Sequence, residues 1–207
     1  MDNIQKFMDM KTDKRNRIIN AAMNEFKYGY RKASTDAIVK QAGISKGLLF
    51  HYFGSKEKLY TFLVKYALEV MSSEYLNMIN FEQKDLLESM WQVALLKRDI
   101  SAQHPSLEEF EYSLYVHKKD FPNKEVHKLI YEKQENLFEQ FYSNCDISLF
   151  VDEIDPKFAI LIICWAMDGF FSTREAYEND YEEFLEELKS YLDVFRKRFY
   201  KNQTNSN

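Results

Sequence analysis

The sequence contains few of the residues that interrupt helices. Its 207 residues include only five glycines and three prolines, whereas apolar residues make up 45%. Low glycine and proline together with abundant Leu, Phe, Tyr, Glu and Lys are typical of helical proteins. No stretch alternates apolar and polar residues for long enough to indicate a β-sheet. The composition therefore predicts an all-α fold, and the length allows one large domain or two small ones.

Cysteine is also scarce, and long apolar runs are missing. Cys145 and Cys164 are too few for a disulfide framework and do not have metal-ligand spacing. We therefore expect no metal site and a reducing, cytoplasmic environment. The segment MDNIQKFMDMK lacks the apolar core of a signal peptide, and the longest apolar run, 158–167, is too short to span a bilayer. We expect no membrane partner.

Motifs that indicate catalysis are absent as well. The four histidines, His51, His104, His117 and His127, are scattered along the chain. The sequence has no H-E-x-x-H motif, no glycine-rich phosphate loop and no nucleophile motif. A pair of carboxylates is the one enzymatic arrangement that stays open. We expect that the protein is not an enzyme and that it needs no cofactor.

The charge is divided unevenly along the chain. Residues 1–60 carry twelve Lys and Arg against six Asp and Glu, a balance of +6, although the whole chain has a net charge of -5. The remaining residues therefore carry -11. A basic N-terminal part beside an acidic body favours contact between the N-terminal part and a polyanion. An ordinary solvated helical surface is the alternative.

The helical pattern is clearest between residues 13 and 56. A first helix is predicted over 13–28, where apolar residues recur every three to four positions. Ser34 is expected to cap a second helix that ends at Ala42, and Ser45 a third that ends at Gly54. Gly43 allows the left-handed backbone that the turn between them needs. Together with a long helix capped by Ser55 and five helices in the body, this gives about nine helices.

The third predicted helix has one buried and one open face. Leu49 and Phe53 lie one turn apart and face inward, whereas Gly47 and His51 form the opposite line. A helix inside the DNA major groove needs little bulk at its first turn, and Gly47 meets this need. Glycine costs about 1 kcal/mol of helix propensity relative to alanine, so its position inside a helix indicates a specific role.

The side-chain chemistry of this segment suits DNA. Lys46 can reach a phosphate or a guanine edge, and Leu48 a thymine methyl group. Tyr52 and Lys56 lie where the nucleic-acid strand would leave the groove. An exposed side chain without a DNA contact is the alternative for Lys46, His51 and Tyr52. The full set of candidate DNA-binding residues is Thr35, Ser45, Lys46, Gly47, Leu48, Phe50, His51, Tyr52 and Lys56.

The same residues carry a family resemblance. The run from Ser34 to Lys56, STDAIVKQAGISKGLLFHYFGSK, resembles the helix-turn-helix DNA-binding domain of the TetR family of repressors. Residues that match the family pattern are Thr35, Ile38, Ala42, Gly43, Ile44, Ser45, Gly47, Leu49, Phe53, Ser55 and Lys56. Phe50 and Leu48 depart from it, because relatives commonly have tyrosine and a small polar residue there. The resemblance covers about the first 60 residues. It implies a DNA-binding domain at 1–56 and an effector-binding and dimerisation domain at 57–207.

The last two long predicted helices are the candidates for a dimer interface. In the final helix, apolar residues recur at threes and fours, and the preceding helix is apolar nearly all round. Two such helices from each subunit would form a four-helix bundle. An ordinary intrachain core is the alternative. The candidate dimer residues are Phe158, Ile162, Gly169, Phe184, Leu188, Tyr191 and Phe195.

The middle helices combine aromatic and acidic residues. The TetR resemblance implies that such helices enclose a mostly apolar cavity for a small effector. Aromatic faces with a carboxylate suit a lipophilic cation, and an acyl chain would fit as well. Each aromatic residue could equally belong to the core. The candidate ligand-binding residues are Trp91, Phe110, Glu111, Tyr115, Phe138 and Trp165.

These features favour a homodimeric repressor that leaves a palindromic operator when a small hydrophobic molecule binds. A DNA-binding dimer that responds to another protein, without an effector, is the alternative.

Overall fold

The computed structural model describes residues 3–78, 83–103, 105–173 and 181–201. Over these residues it contains ten α-helices and two short 3₁₀ turns. The helices are α1 (Asn3–Met8), α2 (Thr12–Phe26), α3 (Thr35–Ala42), α4 (Lys46–Phe53), α5 (Lys56–Met78), α6 (Leu86–Gln103), α7 (Pro105–Val116), α8 (Lys124–Asn144), α9 (Pro156–Thr173) and α10 (Tyr181–Phe199). The 3₁₀ turns are Lys118–Asp120 and Ile147–Leu149.

The all-α prediction is confirmed, and the predicted helices correspond to α2 through α10. Helix α1 is an addition that the sequence analysis did not predict. Asp155 caps α9, because its Oδ1 accepts a hydrogen bond from the Lys157 amide at 2.8 Å. Helix α9 then begins at Pro156, where proline loses no helical hydrogen bond.

The chain packs as two compact units. Unit 1 comprises residues 1–72 and 103–131, and unit 2 comprises residues 73–102 and 132–207. Unit 1 therefore continues well beyond residue 56, where the sequence analysis ended the DNA-binding domain. The functional boundary at 56 stays a prediction, but structurally unit 1 includes α5 as far as Ser72 and all of α7.

The core of unit 1 forms around α2. Its buried face consists of Ile18, Ile19, Ala21, Ala22, Met23 and Phe26. Helix α3 packs on one side of α2 and α7 on another. Lys27 Nζ lies 2.8 Å from Glu109 Oε2, and the Ser106 hydroxyl donates to Asn24 Oδ1 at 3.1 Å. Contacts with α2 thus fix the position of α7 within unit 1.

The core of unit 2 lies between α6, α9 and α10. Its fully buried members include Ala159, Ile160, Ile163 and Phe184. The segment after α8 joins this core through Phe150, which forms an isolated antiparallel bridge with Tyr200 at the end of α10. Each of α9 and α10 therefore has one face directed into the core of its own subunit.

No helix within the described ranges is long and apolar enough to cross a membrane. The same residues contain no cluster of His, Cys, Asp and Glu that could hold a metal ion.

Candidate nucleic-acid interface

Helices α3 and α4 form a tight pair whose ends are fixed by local hydrogen bonds. The Ser34 hydroxyl caps α3 by accepting from the Ala37 amide at 3.3 Å, and the Ser45 hydroxyl caps α4 by accepting from the Leu48 amide at 3.2 Å. Between them Gly43 adopts φ 65° and ψ 41°, a left-handed conformation that glycine adopts without steric cost. The predicted caps and turn are all present.

The two helices bury the residues that the sequence assigned to their inner faces. Ile38 and Ala42 on α3 are buried, as are Leu49 and Phe53 on α4. These side chains anchor the pair to unit 1. Because positions three and four apart share a helix face, the remaining side of α4 is directed away from this core. That side is where a nucleic acid has access.

Gly47 lies in the first turn of α4 and faces open space. A Cβ atom added to Gly47 would have the Ser45 Oγ as its nearest neighbour, at 4.0 Å. The protein itself therefore does not require glycine at this position, since alanine would fit without any shift. The backbone of Gly47 is also exposed. What glycine provides here is a helix surface that lacks side-chain bulk.

Lys46 is exposed but has a partner within the protein. Its Nζ lies 2.9 Å from Oδ1 and 3.0 Å from Oδ2 of Asp36, in the first turn of α3. Both side chains remain at least half exposed to solvent, so water and salt screen the pair. The sequence analysis did not identify Asp36, and its separation of ten residues from Lys46 is not a local helical pattern that would have indicated it.

The C-terminal half of α4 is held by α1. Phe7 of α1 is fully buried, and its ring centroid lies 5.6 Å from that of Tyr52 and 4.8 Å from that of Phe53. The Asn3 amide group donates to the backbone carbonyl of His51 at 3.0 Å. Tyr52 is half-buried as a result, whereas the His51 side chain is exposed.

Lys56 begins α5, close to the end of α4. Its Nζ lies 4.7 Å from the centre of the Tyr30 ring, a cation–π arrangement. Burial lowers the pKa of the Lys56 ammonium, and the nearby Glu25 carboxylate opposes this shift. The Lys56 side chain thus lies against Tyr30 of unit 1 rather than extending into solvent.

The remaining candidates lie at the open side of the pair or at its edge. Ser45 is exposed, while Thr35, Leu48 and Phe50 are half-buried. Thr35 is the first residue of α3, directly after its cap. All nine candidate DNA-binding residues therefore lie on α3, α4, the turn between them or the start of α5. Their contacts with DNA stay predictions.

The candidate dimer residues separate into two groups. Phe158 is 64% exposed, Ile162 is 41% exposed, and Gly169 is exposed, and all three lie on one face of α9. Tyr191 on α10 is also exposed, and Phe195 is half-buried. Phe184 and Leu188 are instead buried in the core of unit 2. These two residues therefore belong to the intrachain core, which was the alternative for them, because almost none of their surface is accessible to a second subunit.

The candidate ligand residues have very different environments. Phe110 is fully buried in unit 1, 5.8 Å from the Tyr60 ring, so it is a core residue. Trp165 is 68% exposed on α9, in line with Phe158 and Ile162, so unit 2 does not enclose it. Glu111 and Tyr115 are half-buried in unit 1, and the Phe138 side chain lies outside the described part of the chain.

Trp91 lines a shallow groove in unit 2. The groove has a volume of about 250 Å³, and it is lined by Leu87, Glu88, Trp91, Lys189, Leu192, Asp193 and Arg196. Its volume is below the ~300–1,000 Å³ of ordinary ligand pockets, and charged side chains make up more than half of the lining residues. The predicted aromatic and carboxylate box is therefore not assembled from the described candidates within either unit.

Comparison with known proteins shows what the N-terminal part is similar to. Residues 18–61 match the family model of the bacterial regulatory proteins of the tetR family. The chain is also 30% identical over 99 residues to the nucleoid occlusion factor SlmA of Vibrio campbellii. That match covers 47% of this chain and 50% of SlmA, so the chain spans about half the length of the curated relatives it matches.

Solved structures extend the similarity in fold to nearly the whole chain. A TetR family transcriptional regulator from Chloroflexus aurantiacus J-10-FL has a TM-score of 0.69 with 17% identity, covering 96% of this chain and 98% of that one. The fatty acid degradation regulator FadR from Bacillus halodurans has a TM-score of 0.64 with 18% identity, covering 89% and 96%. At these identities the likeness concerns the fold.

Proposed function

We propose that this chain, whose residues 18–61 match the family model of the tetR family of bacterial regulatory proteins, represses transcription by binding a palindromic DNA operator as a homodimer. The observation that carries the proposal is the open first turn of α4. Gly47 leaves this turn without side-chain bulk, and Leu49 and Phe53 anchor the opposite face in the core. A helix with this division enters the major groove with its N-terminal residues next to the base edges.

The charge distribution supports the same assignment. Lys46 lies beside Gly47, where its ammonium group can exchange Asp36 for a phosphate or a guanine edge. The N-terminal end of α4 also carries the positive end of the helix dipole, which favours an anion. Thr35 at the start of α3 is the residue we expect to contact the phosphate backbone, and Lys56 can do so only if it leaves the Tyr30 ring. Phosphate contacts of this kind fix the orientation of the helix.

A homodimer is supported by the exposed apolar face of α9. Phe158, Ile162, Trp165 and Gly169 follow one another at spacings of four, three and four residues, so they share one helix face. Large apolar side chains exposed together are typical of protein interfaces. A Cβ atom added to Gly169 would meet nothing within 4 Å, which leaves room for another helix to approach closely.

Release by a small hydrophobic effector is the second part of the proposal. A ligand shifts an equilibrium only if it binds one conformation more tightly than the other, here the one whose recognition helices are wrongly spaced for DNA. A lipophilic cation or an acyl compound remains the chemical class we expect. We infer a cytoplasmic site of action, since a protein that binds the DNA of a bacterial cell acts in its cytoplasm.

Regulation by a protein partner without an effector is the alternative. It is favoured by the environments of the described ligand candidates, because Phe110 belongs to the core of unit 1 and Trp165 is exposed to solvent. A release experiment distinguishes the two hypotheses. Release of operator DNA by a lipophilic cation or an acyl compound favours the effector. Release by proteins of a cell extract, but not by these compounds, favours the protein partner.

Selection of bound sequences from a random DNA pool tests the DNA-binding proposal. We expect the full-length protein to enrich a palindrome whose half-sites lie one helical turn apart, roughly 34–36 Å. Enrichment of a single non-repeated half-site would contradict the proposed dimer but support DNA binding. Recovery of no sequence at low salt would contradict the proposed function altogether.

A further inference from the structure

Helix α1 packs directly against the helix proposed to read DNA. It is only six residues long, and its contacts include α4. An isolated helix of this length is not stable in water, so its packing against unit 1 has to hold it in place. The question is what the recognition helix gains from this contact.

Phe7 is the centre of the contact. It is fully buried, and its ring contacts Tyr52 and Phe53 on α4 as well as Phe62 on α5, at a centroid distance of 5.5 Å. The rings meet edge to face, the arrangement that aromatic pairs prefer. One side chain of α1 therefore joins the end of the recognition helix to the beginning of the helix that follows it.

Tyr52 is restrained from two sides. Its ring meets Phe7 at 5.6 Å and the His51 ring at 5.3 Å, and it is half-buried. Asn3 adds a polar contact, because its side-chain amide donates to the His51 carbonyl at 3.0 Å. Helix α1 therefore touches Tyr52, which is proposed to contact DNA where the strand leaves the groove, and the backbone of the neighbouring candidate His51.

We propose that α1 is a positioning element for DNA recognition, with Phe7 and Asn3 as its positioning residues. Neither residue needs to touch DNA. They hold Tyr52 and the last turn of α4 in one arrangement before DNA arrives, so that less side-chain freedom is lost on binding. This inference rests on the proposed function, and it adds to it residues outside the helix-turn-helix.

Two substitutions separate positioning from folding. Phe7→Leu keeps an apolar side chain but removes the aromatic contacts with Tyr52 and Phe53. Asn3→Ala removes the hydrogen bond to the His51 carbonyl from an exposed residue and leaves the core intact. Phe110→Leu is the matched control, because Phe110 is equally buried in unit 1 and its ring contacts Tyr60 rather than α4.

In the free, full-length protein, amide hydrogen exchange measures the restraint itself. We expect the amides of residues 52–54 to exchange faster in Phe7→Leu and Asn3→Ala than in Phe110→Leu, when the variants are compared at equal global stability. Unchanged exchange at these amides would overturn the proposal. This measurement needs no DNA, so its result is independent of whether the proposed function holds.

Binding to the selected operator and to random-sequence DNA gives the second readout. We expect Phe7→Leu to weaken operator binding about 10-fold, because ordering of one or two side chains is then paid at each binding event. Binding to random DNA should change much less, since it depends on phosphate contacts. An equal loss for Phe7→Leu and Phe110→Leu would mean that Phe7 acts through stability alone, and would overturn the proposal.

Discussion

At the scale of single residues, the proposed approach of α4 to DNA depends most on Gly47. Its surroundings are open, so a larger side chain would not disturb the fold. A glutamate at this position would also lie in the first turn of a helix, where a negative charge is favourable for the helix itself. In the proposed complex, the same carboxylate would face the DNA phosphates, and the glutamate side chain would occupy space in the groove. Folding and DNA binding thus place opposite demands on this position.

We therefore expect Gly47→Glu to abolish operator binding without lowering the thermal stability of the protein. Gly47→Ala is the control, and helix propensity predicts that it raises the free energy of unfolding by about 1 kcal/mol. Footprinting and thermal denaturation measure the two effects. Retained operator binding by a folded Gly47→Glu variant would refute the placement of this turn in the groove.

Lys46 and Asp36 form the other residue-scale feature of the interface. We expect Lys46→Ala to weaken operator binding by ~1–3 kcal/mol if Lys46 contacts a base, with relaxed specificity at one position. Asp36→Asn should instead strengthen binding to DNA of any sequence, because it releases the Lys46 ammonium and removes a negative charge near the phosphates. Titrations with operator and random duplexes separate these outcomes.

The two substitutions combined show whether the residues act together. If Asp36 acts by restraining Lys46, Asp36→Asn should have a smaller effect in the Lys46→Ala background than in the native protein. Equal effects in both backgrounds would mean that the Asp36–Lys46 pair has no influence on DNA binding. An equal loss of affinity on all sequences for Lys46→Ala would identify a phosphate contact instead of a base contact.

At the scale of helices, the start of α6 is fixed by one carboxylate. Asp85 Oδ1 accepts from the amides of Leu87 and Glu88 at 3.0 and 3.2 Å, and its Oδ2 lies 2.6 Å from Arg196 of α10. The Tyr200 hydroxyl also donates to Asp85 at 3.0 Å. This single side chain therefore caps α6 and joins it to α10.

The electrostatics of Asp85 give a prediction for acid pH. Burial raises the pKa of the Asp85 carboxyl, but the Arg196 guanidinium, the Glu88 amide and the Tyr200 hydroxyl outweigh it and hold the pKa below its usual value of 3.8. The resulting stabilisation is present above pH 3.8. It is lost as the pH falls through the lower pKa of the folded state.

We expect Asp85→Asn to lower the free energy of unfolding at pH 7 by ~1–3 kcal/mol, and to flatten its decline between about pH 4 and 2. Asp152→Asn is the control, since Asp152 is 87% exposed and its ion pair with Lys201 contributes little. Denaturant unfolding at several pH values measures both. A decline in acid as steep in Asp85→Asn as in the native protein would exclude Asp85 as its source.

At the scale of the whole molecule, the sequence predicted features that depend on neighbours along the chain. The caps at Ser34 and Ser45, the left-handed Gly43 and the buried pair Leu49 and Phe53 all follow from local chemistry and helical period. The structure contains each of them as predicted. The all-α class follows from composition in the same way.

Features that depend on distant residues were not predictable in this way. Ser106 and Glu109 have the spacing of a capping box, which predicts that Ser106 caps a helix, but Ser106 lies inside α7. Both side chains contact α2 instead, through Asn24 and Lys27. Helix α1 was missed because Ile4, Phe7 and Met8 give too short an apolar pattern, and contacts with distant residues such as Phe53 and Phe62 stabilise it. Phe184 and Leu188 share the periodicity of the exposed residue Tyr191, so sequence alone cannot separate core from interface.

The exposed apolar face of α9, which we propose as the dimer interface, provides the prediction that concerns the molecule as a whole. We expect Trp165→Arg to weaken homodimer formation by at least ~2 kcal/mol, because a large aromatic residue at the centre of an interface contributes strongly and two charges would meet across a two-fold axis. The fold of each subunit should be retained, since Trp165 is 68% exposed.

Tyr131→Ala is the control, because Tyr131 is 59% exposed and lies on α8. Analytical ultracentrifugation measures the dissociation constant of the dimer. Titrations with a palindromic duplex and with a single half-site measure how the loss of the dimer affects DNA binding. Palindrome binding should fall while half-site binding is unchanged, and a Trp165→Arg variant that remains a dimer of native affinity would exclude this face of α9 as the interface.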